Sequence, residues 1–112
     1  MATYTVKFSD NVEFYLLETQ LLCCPSLLKL FGSEKTIKLD NYSANAFSQI
    51  LKYFDNPENM DKIIESINGS LLMDTILLSD YLEIKEFKNQ CCNKFKNMVN
   101  QYSPQTIRRL LN

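Results

Sequence analysis

Hydrophobic and polar residues alternate along the first part of the chain. The apolar residues occupy every second position in two runs: Tyr4, Val6 and Phe8, then Val12, Phe14 and Leu16. The polar residues 9–11 separate the two runs. Because successive side chains of a strand point to opposite faces, this pattern predicts a β-hairpin. A third short strand is predicted at residues 36–39.

The spacing of apolar residues changes to three and four after the hairpin, which is typical of helices. Residues 18–31 are leucine-rich, and Pro25 divides them into two short helices because proline is tolerated only in a first turn. Ser43 is a candidate N-cap for a helix that ends at Asp55. An apolar stripe from Met60 ends at Asn68-Gly69, where we expect a left-handed C-cap.

Three more helices are predicted in the second half of the chain. Ser70 begins a run, residues 71–78, that is apolar on nearly every side and therefore typical of a central buried helix. The longest amphipathic stretch follows, from residue 83 or 84. Ser103-Pro104 combines an N-cap with proline at the first helical position, which predicts the last helix.

The order of these elements, strands first and helices later, predicts an α+β fold. We expect a small three-stranded sheet packed with about six to seven helices. A chain of 112 residues can bury one core and is too short for two, so we expect a single domain.

Composition argues against several classes of function. The formal net charge is −1, which gives no reason to expect nucleic acid as a partner. The chain has no histidine, so it lacks the commonest general base and the commonest metal ligand. We therefore expect that the protein is not an enzyme and that it has no catalytic residue, no cofactor and no metal site.

The four cysteines occur as adjacent pairs, Cys23-Cys24 and Cys91-Cys92. Neighbours on a helix point about 100° apart, so each pair is expected to divide between two faces. Free thiols predict a reducing compartment, the cytoplasm or the nucleus. The first ten residues lack a secretory signal, and no apolar run approaches the length of a membrane span, so we expect no membrane contact.

Residues 69–85, GSLLMDTILLSDYLEIK, resemble the signature G-T-L-x-x-L-I-L-A-A-N-Y-L-D-I-K of the Skp-type adaptors of SCF ubiquitin ligases. Residues 103–109, SPQTIRR, resemble the T-P-E-E-I-R-K motif of the same family. The separation of the two motifs fits the family without a gap. The resemblance covers nearly the whole chain and is strongest from Gly69 onward.

The resemblance implies a BTB/POZ fold of the Skp type over residues 1–112, with a BTB core at 1–82 and partner-binding helices at 83–112. It implies a non-catalytic adaptor that bridges a cullin scaffold to an F-box-type substrate receptor in a cullin-RING E3 ubiquitin ligase. Which cullin, F-box protein or substrate would be bound does not follow from the sequence.

The resemblance also assigns the residues that contact partners. Asp80 and Tyr81 occupy the family's N-Y positions, which contact the cullin; Tyr81 matches, whereas Asp80 replaces an amide. Six residues map to the region that receives the F-box: Met73, Cys92, Phe95, Val99, Leu110 and Leu111. Apolar stripes are more often core than interface, so a structural role is the alternative for these side chains.

Two departures from the family leave other interpretations open. The acidic insertion before the fourth helix is missing, and there is no tryptophan of the kind that ends the family's F-box clamp. An elongin C-like adaptor with a BC-box-type receptor, or a viral or parasite mimic, is the first alternative. A self-associating BTB module that forms a homodimer is the second.

Overall fold

The computed structural model describes residues 3–101 and 103–111, apart from the side chains of Ile107, Leu110 and Leu111. Its sheet has three strands: β1 (Thr3–Phe8), β2 (Glu13–Leu17) and β3 (Thr36–Leu39). The order is β2-β1-β3, with β1 and β2 antiparallel and β3 parallel to β1. The predicted hairpin is therefore confirmed, and Val6 lies opposite both Phe14 and Ile37.

Seven α-helices and one short 3-10 helix surround the sheet in the described part of the chain. The α-helices are α1 (Glu18–Leu21), α2 (Pro25–Phe31), α3 (Ala44–Asp55), α4 (Met60–Glu65), α5 (Ser70–Tyr81), α6 (Lys85–Gln101) and α7 (Pro104–Leu111). The 3-10 turn is Pro57–Asn59. These elements confirm the predicted α+β class, its three strands and its number of helices.

Local chemistry sets several helix boundaries as expected. Pro25 is the first residue of α2, where its missing N–H costs no hydrogen bond. Ser43 caps α3, since its Oγ accepts a hydrogen bond from the backbone N–H of Ala46 at 3.3 Å. Each cysteine pair is divided between faces: Cys24 and Cys91 are buried, whereas Cys23 is exposed.

The core lies between one face of the sheet and the helices. Phe47 of α3 is fully buried and contacts Phe8 and Phe14 of the sheet, with ring centroids 5.4 and 5.2 Å apart. Farther along the same helix, Tyr53 stacks on Phe87 of α6 at 4.8 Å. Helix α3 thus joins the sheet to the later helices.

Two details of the α4–α5 region differ from expectation. The C-cap of α4 is Ser66, in a right-handed conformation, and the left-handed Gly69 (φ 64°) is instead the N-cap of α5. Helix α5 is not buried all round, because the side chain of Leu77 is 54% exposed. Only the face of α5 that carries Leu72, Thr75 and Leu78 is buried.

Candidate partner-binding surfaces

The end of α5 determines how Tyr81 is presented. The N–H of Ile84 donates to the carbonyl of Ser79 at 2.9 Å, and the N–H of Glu83 donates to that of Asp80 at 3.1 Å. Glu83 has φ 58°, so these bonds form a Schellman motif with a left-handed glutamate at the position usually occupied by glycine. The motif ends α5 directly after Tyr81 and turns the chain into α6.

Tyr81 belongs to an exposed apolar surface on α5, which we call the Tyr81 surface and define by Tyr42, Leu77, Asp80 and Tyr81. Tyr81 is 44% exposed, and its ring stacks on Tyr42 with centroids 5.0 Å apart. Leu77 precedes Tyr81 by four residues and therefore lies on the same side of the helix. Large apolar side chains exposed together are typical of a contact surface.

Asp80 forms an ion pair at the edge of this surface. Its Oδ1 lies 2.9 Å from the Nζ of Lys88, one turn into α6. The hydrogen bond from Lys88 to Asp80 raises the pKa of that lysine. Asp80 is still 67% exposed, so one carboxylate edge remains open to a partner.

A notch of about 110 Å³ adjoins the Tyr81 surface. Its walls are formed by Asn41, Tyr42, Ser43, Asp74 and Leu77. The N-terminus of α3 therefore lies beside α5 at this notch. Sequence reasoning predicted no role for Leu77 or Asp74. The spacing of both from Tyr81 on one helix was the signal that could have identified them.

A second groove lies on α6, and we call it the Phe95 groove. It has a volume of about 340 Å³ and is lined by Phe95, Lys96, Val99 and Asn100. Val99 is 42% exposed, whereas Phe95 is half-buried and packs against the core. The structure therefore brings two of the predicted receptor contacts, Phe95 and Val99, into one groove.

The other predicted receptor contacts are placed less closely together. Cys92 is half-buried on α6, one turn before Phe95. Met73 is half-buried on α5, four residues before Leu77, so helical spacing puts it on the stripe that leads to Tyr81. Helix α7 packs against α5 and α6, but the side chains of Leu110 and Leu111 lie outside the described residues. The assignment of these residues to a receptor stays a prediction.

Within the described ranges, no three cysteine or carboxylate side chains are grouped closely enough to hold a metal ion. No helix described by the structure combines the length and the apolar character that crossing a membrane requires. The features of the surface that the structure does show are apolar side chains and charges suited to protein contacts.

The fold is α+β, and two of its helices, α5 and α6, carry exposed apolar side chains. No protein-family model matches the sequence. The chain is similar to Suppressor of kinetochore protein 1 of Schizosaccharomyces pombe, with 24% identity over 130 aligned positions that cover 93% of this chain and 81% of the relative. The alignment is longer than this chain of 112 residues, so the relative contains residues that this chain lacks. This distant similarity to a Skp-type protein supports the Skp-like resemblance at the level of the family alone.

Proposed function

We propose that the chain is a non-catalytic adaptor that bridges a cullin scaffold to an F-box-type receptor in a cullin-RING E3 ubiquitin ligase. In this proposal residues 1–82 form a BTB/POZ core and residues 83–112 form partner-binding helices. The protein acts in the cytoplasm or the nucleus. The similarity to Suppressor of kinetochore protein 1 supports the SCF-adaptor class.

The observation that carries the proposal is the separation of two exposed apolar sites on adjoining helices. Tyr81 ends α5, whereas Phe95 lies ten residues after the first residue of α6. At a rise of 1.5 Å per residue, this places Phe95 about 15 Å along α6. Two sites separated in this way can bind two different proteins at once.

The rigid contact between α5 and α6 is what a bridge requires. Phe87 and Cys91 of α6 are fully buried, and α6 packs along α5. In the proposal, Asp80 and Tyr81 contact the cullin, and Phe95 and Val99 contact the receptor. The core between the sites holds the two partners at a fixed separation and contributes no chemistry.

The experiment is an affinity pull-down of the tagged full chain, read by mass spectrometry, with Tyr81→Ala and Phe95→Glu variants. We expect the wild type to recover a cullin and F-box proteins, Tyr81→Ala to lose the cullin, and Phe95→Glu to lose the F-box proteins. Tyr15→Glu is the matched control, because Tyr15 is an aromatic side chain, 66% exposed, on the sheet. Because Phe95 also contacts the core, Val99→Glu repeats the receptor test at a more exposed position.

Three outcomes would contradict the proposal or narrow it. A cullin without any F-box protein would favour an elongin C-like adaptor or a mimic. Recovery of this chain alone, with the mass of a dimer by light scattering, would favour a self-associating BTB module. Loss of both partners in the Tyr15→Glu control would show that the variants report on stability rather than on contact.

A further inference from the structure

Asp74 lies on the wall of the notch beside Leu77, and no described lysine or arginine forms an ion pair with it. Its side chain is half-buried, and neither of the two ion pairs in the described structure involves it. It also forms no side-chain hydrogen bond with another described residue. A partner that covers Leu77 would take Asp74 further out of water.

Burying a carboxylate is unfavourable unless a cation or hydrogen-bond donors compensate for its lost hydration. The binding of a neutral or acidic partner segment over this notch would therefore be less favourable in free energy. A lysine or arginine side chain would supply the missing cation.

Asp80 extends the same charge pattern. Asp74 and Asp80 precede and follow Leu77 by three residues each, so all three lie on one side of α5. Lys88 pairs with Asp80, yet the carboxylate of Asp80 is 67% exposed. The apolar centre of the Tyr81 surface is thus flanked by a carboxylate on each side.

The notch is small and half-open to solvent. A volume of about 110 Å³ corresponds to roughly four water molecules at about 30 Å³ each, enough for the end of one long side chain. Tyr42 also lines the notch, and its ring stacks on Tyr81. The carboxylate of Asp74 in the wall therefore favours a basic side chain in the notch.

We propose that the Tyr81 surface recognises a protein segment in which an apolar anchor is accompanied by a lysine or arginine, whose cation enters the notch beside Asp74 and Tyr42. The identity of that partner as a cullin rests on the proposed function. The requirement for the basic residue does not rest on it, since it follows from the side chains that line the notch.

The test begins with the photo-reactive residue p-benzoylphenylalanine in place of Leu77 in the full chain, cross-linked in cells. Mass spectrometry identifies the cross-linked segment, and the partner domain that contains it is then purified. We expect a lysine or arginine within about one helical turn of the cross-link. Asp74→Asn should weaken binding of that domain by roughly tenfold to a hundredfold. Asp61→Asn, an exposed carboxylate on α4, is the matched control and should bind as the wild type does.

A charge swap makes the test independent of folding. Asp74→Lys should lose binding, and replacing the partner's basic residue by glutamate should restore it. The proposal is overturned if the cross-linked segment has no basic residue, or if Asp74→Asn binds unchanged while Leu77→Asp abolishes binding. Cross-linking to a second copy of this chain without such a basic contact would also overturn it.

The two proposals can fail separately. If the cross-linked protein is not a cullin but the charge swap succeeds, the recognition rule stands and the assigned partner is wrong. If the partner is a cullin and Asp74→Asn binds as tightly as the wild type, the adaptor function stands and the recognition rule is wrong.

Discussion

The ammonium of Lys94 in α6 donates a hydrogen bond to the backbone carbonyl of Ile64 in α4, at 3.0 Å. The same ammonium reaches the carbonyls of Glu65 and Ile67 and the side-chain oxygen of Asn68. The last carbonyls of a helix have no partner within it and favour a nearby cation. Burial lowers the pKa of Lys94. One side chain thus closes the end of α4 and fixes α6 against it.

Lys94→Met should destabilise the fold by about 1–3 kcal/mol, because the carbonyls at the end of α4 lose their shared donor. Methionine keeps most of the length and the apolar stem of lysine, so packing changes little. Urea denaturation monitored by circular dichroism measures the effect. Lys96→Met, at an exposed position on the same helix, is the control and should change stability by less than about 0.5 kcal/mol. Equal effects of the two substitutions would show that the capping contact is not needed.

Glu83 has a left-handed backbone and a side chain that accepts a hydrogen bond from Ser26 Oγ of α2. Substitution by glycine relieves the backbone strain but removes this bond. Ser26→Ala alone should cost about 0.5–1.5 kcal/mol. In the Ser26→Ala background, Glu83→Gly should then stabilise the protein by about 1 kcal/mol, since only the strain remains to be relieved. A thermal-denaturation cycle of the four proteins measures both terms, and a destabilising Glu83→Gly in that background would contradict the account.

Ser79 is fully buried in α5, and its hydroxyl has no hydrogen-bond partner among the described residues. An unpaired buried hydroxyl costs free energy that alanine would not incur. Ser79→Ala should therefore leave stability unchanged or raise it by up to about 1 kcal/mol in urea denaturation. Ser43→Ala is the contrasting variant, because it removes the cap of α3 and should cost about 1 kcal/mol. A clear loss of stability in Ser79→Ala would indicate a buried hydrogen bond to water.

The pH dependence of stability should reveal the buried thiol of Cys91. Burial raises the pKa of this thiol from the ordinary value of 9.0 to about 12. Between these two values the unfolded chain releases the proton while the folded chain keeps it, so the unfolded state binds fewer protons. The free energy of unfolding must then fall as pH rises from about 9 to about 12.

Urea midpoints measured in reducing buffer on both sides of pH 9.0 test this dependence. Cys91→Ala should show a smaller decline with pH than the wild type, whatever its stability at neutral pH. Some decline should remain, because burial also raises the pKa of Cys24. Cys23→Ala removes an exposed thiol and is the control for the general effect of alkali. Identical slopes for Cys91→Ala and the wild type would contradict the prediction.

Features with a local cause could be predicted from the sequence. The hairpin follows from alternation on both sides of a polar turn, and the division before α2 follows from the ring of Pro25. The prediction that Gly69 is a C-cap was wrong, because Gly69 is the N-cap of α5. Its predicted left-handed backbone is confirmed. A positive φ suits a glycine at either end of a helix, and Gly69 begins α5 because α4 already ends at Glu65.

The Tyr81 surface depends on packing between segments that are distant in the sequence. The tyrosine at position 81 could be recognised from its motif, but its partner Tyr42 lies 39 positions earlier and meets it only because α3 packs on α5. Leu77 illustrates the same limit, since its neighbours Ile76 and Leu78 are as apolar as it is and the sequence does not show which of the three is exposed. Only the packing of α3 and α6 against α5 decided which of these side chains would stay in water.

The sequence by itself determined the class of fold, the order of its elements and the absence of histidine chemistry, because these depend on periodicity, proline positions and composition. The tertiary structure decided which groups the charged side chains contact. Lys94 caps the end of α4, Lys88 pairs with Asp80, and Asp74 lines the notch beside Leu77. The energy of an interaction between charges depends on their separation and on the polarity of their surroundings. Both are set only when separate helices pack together.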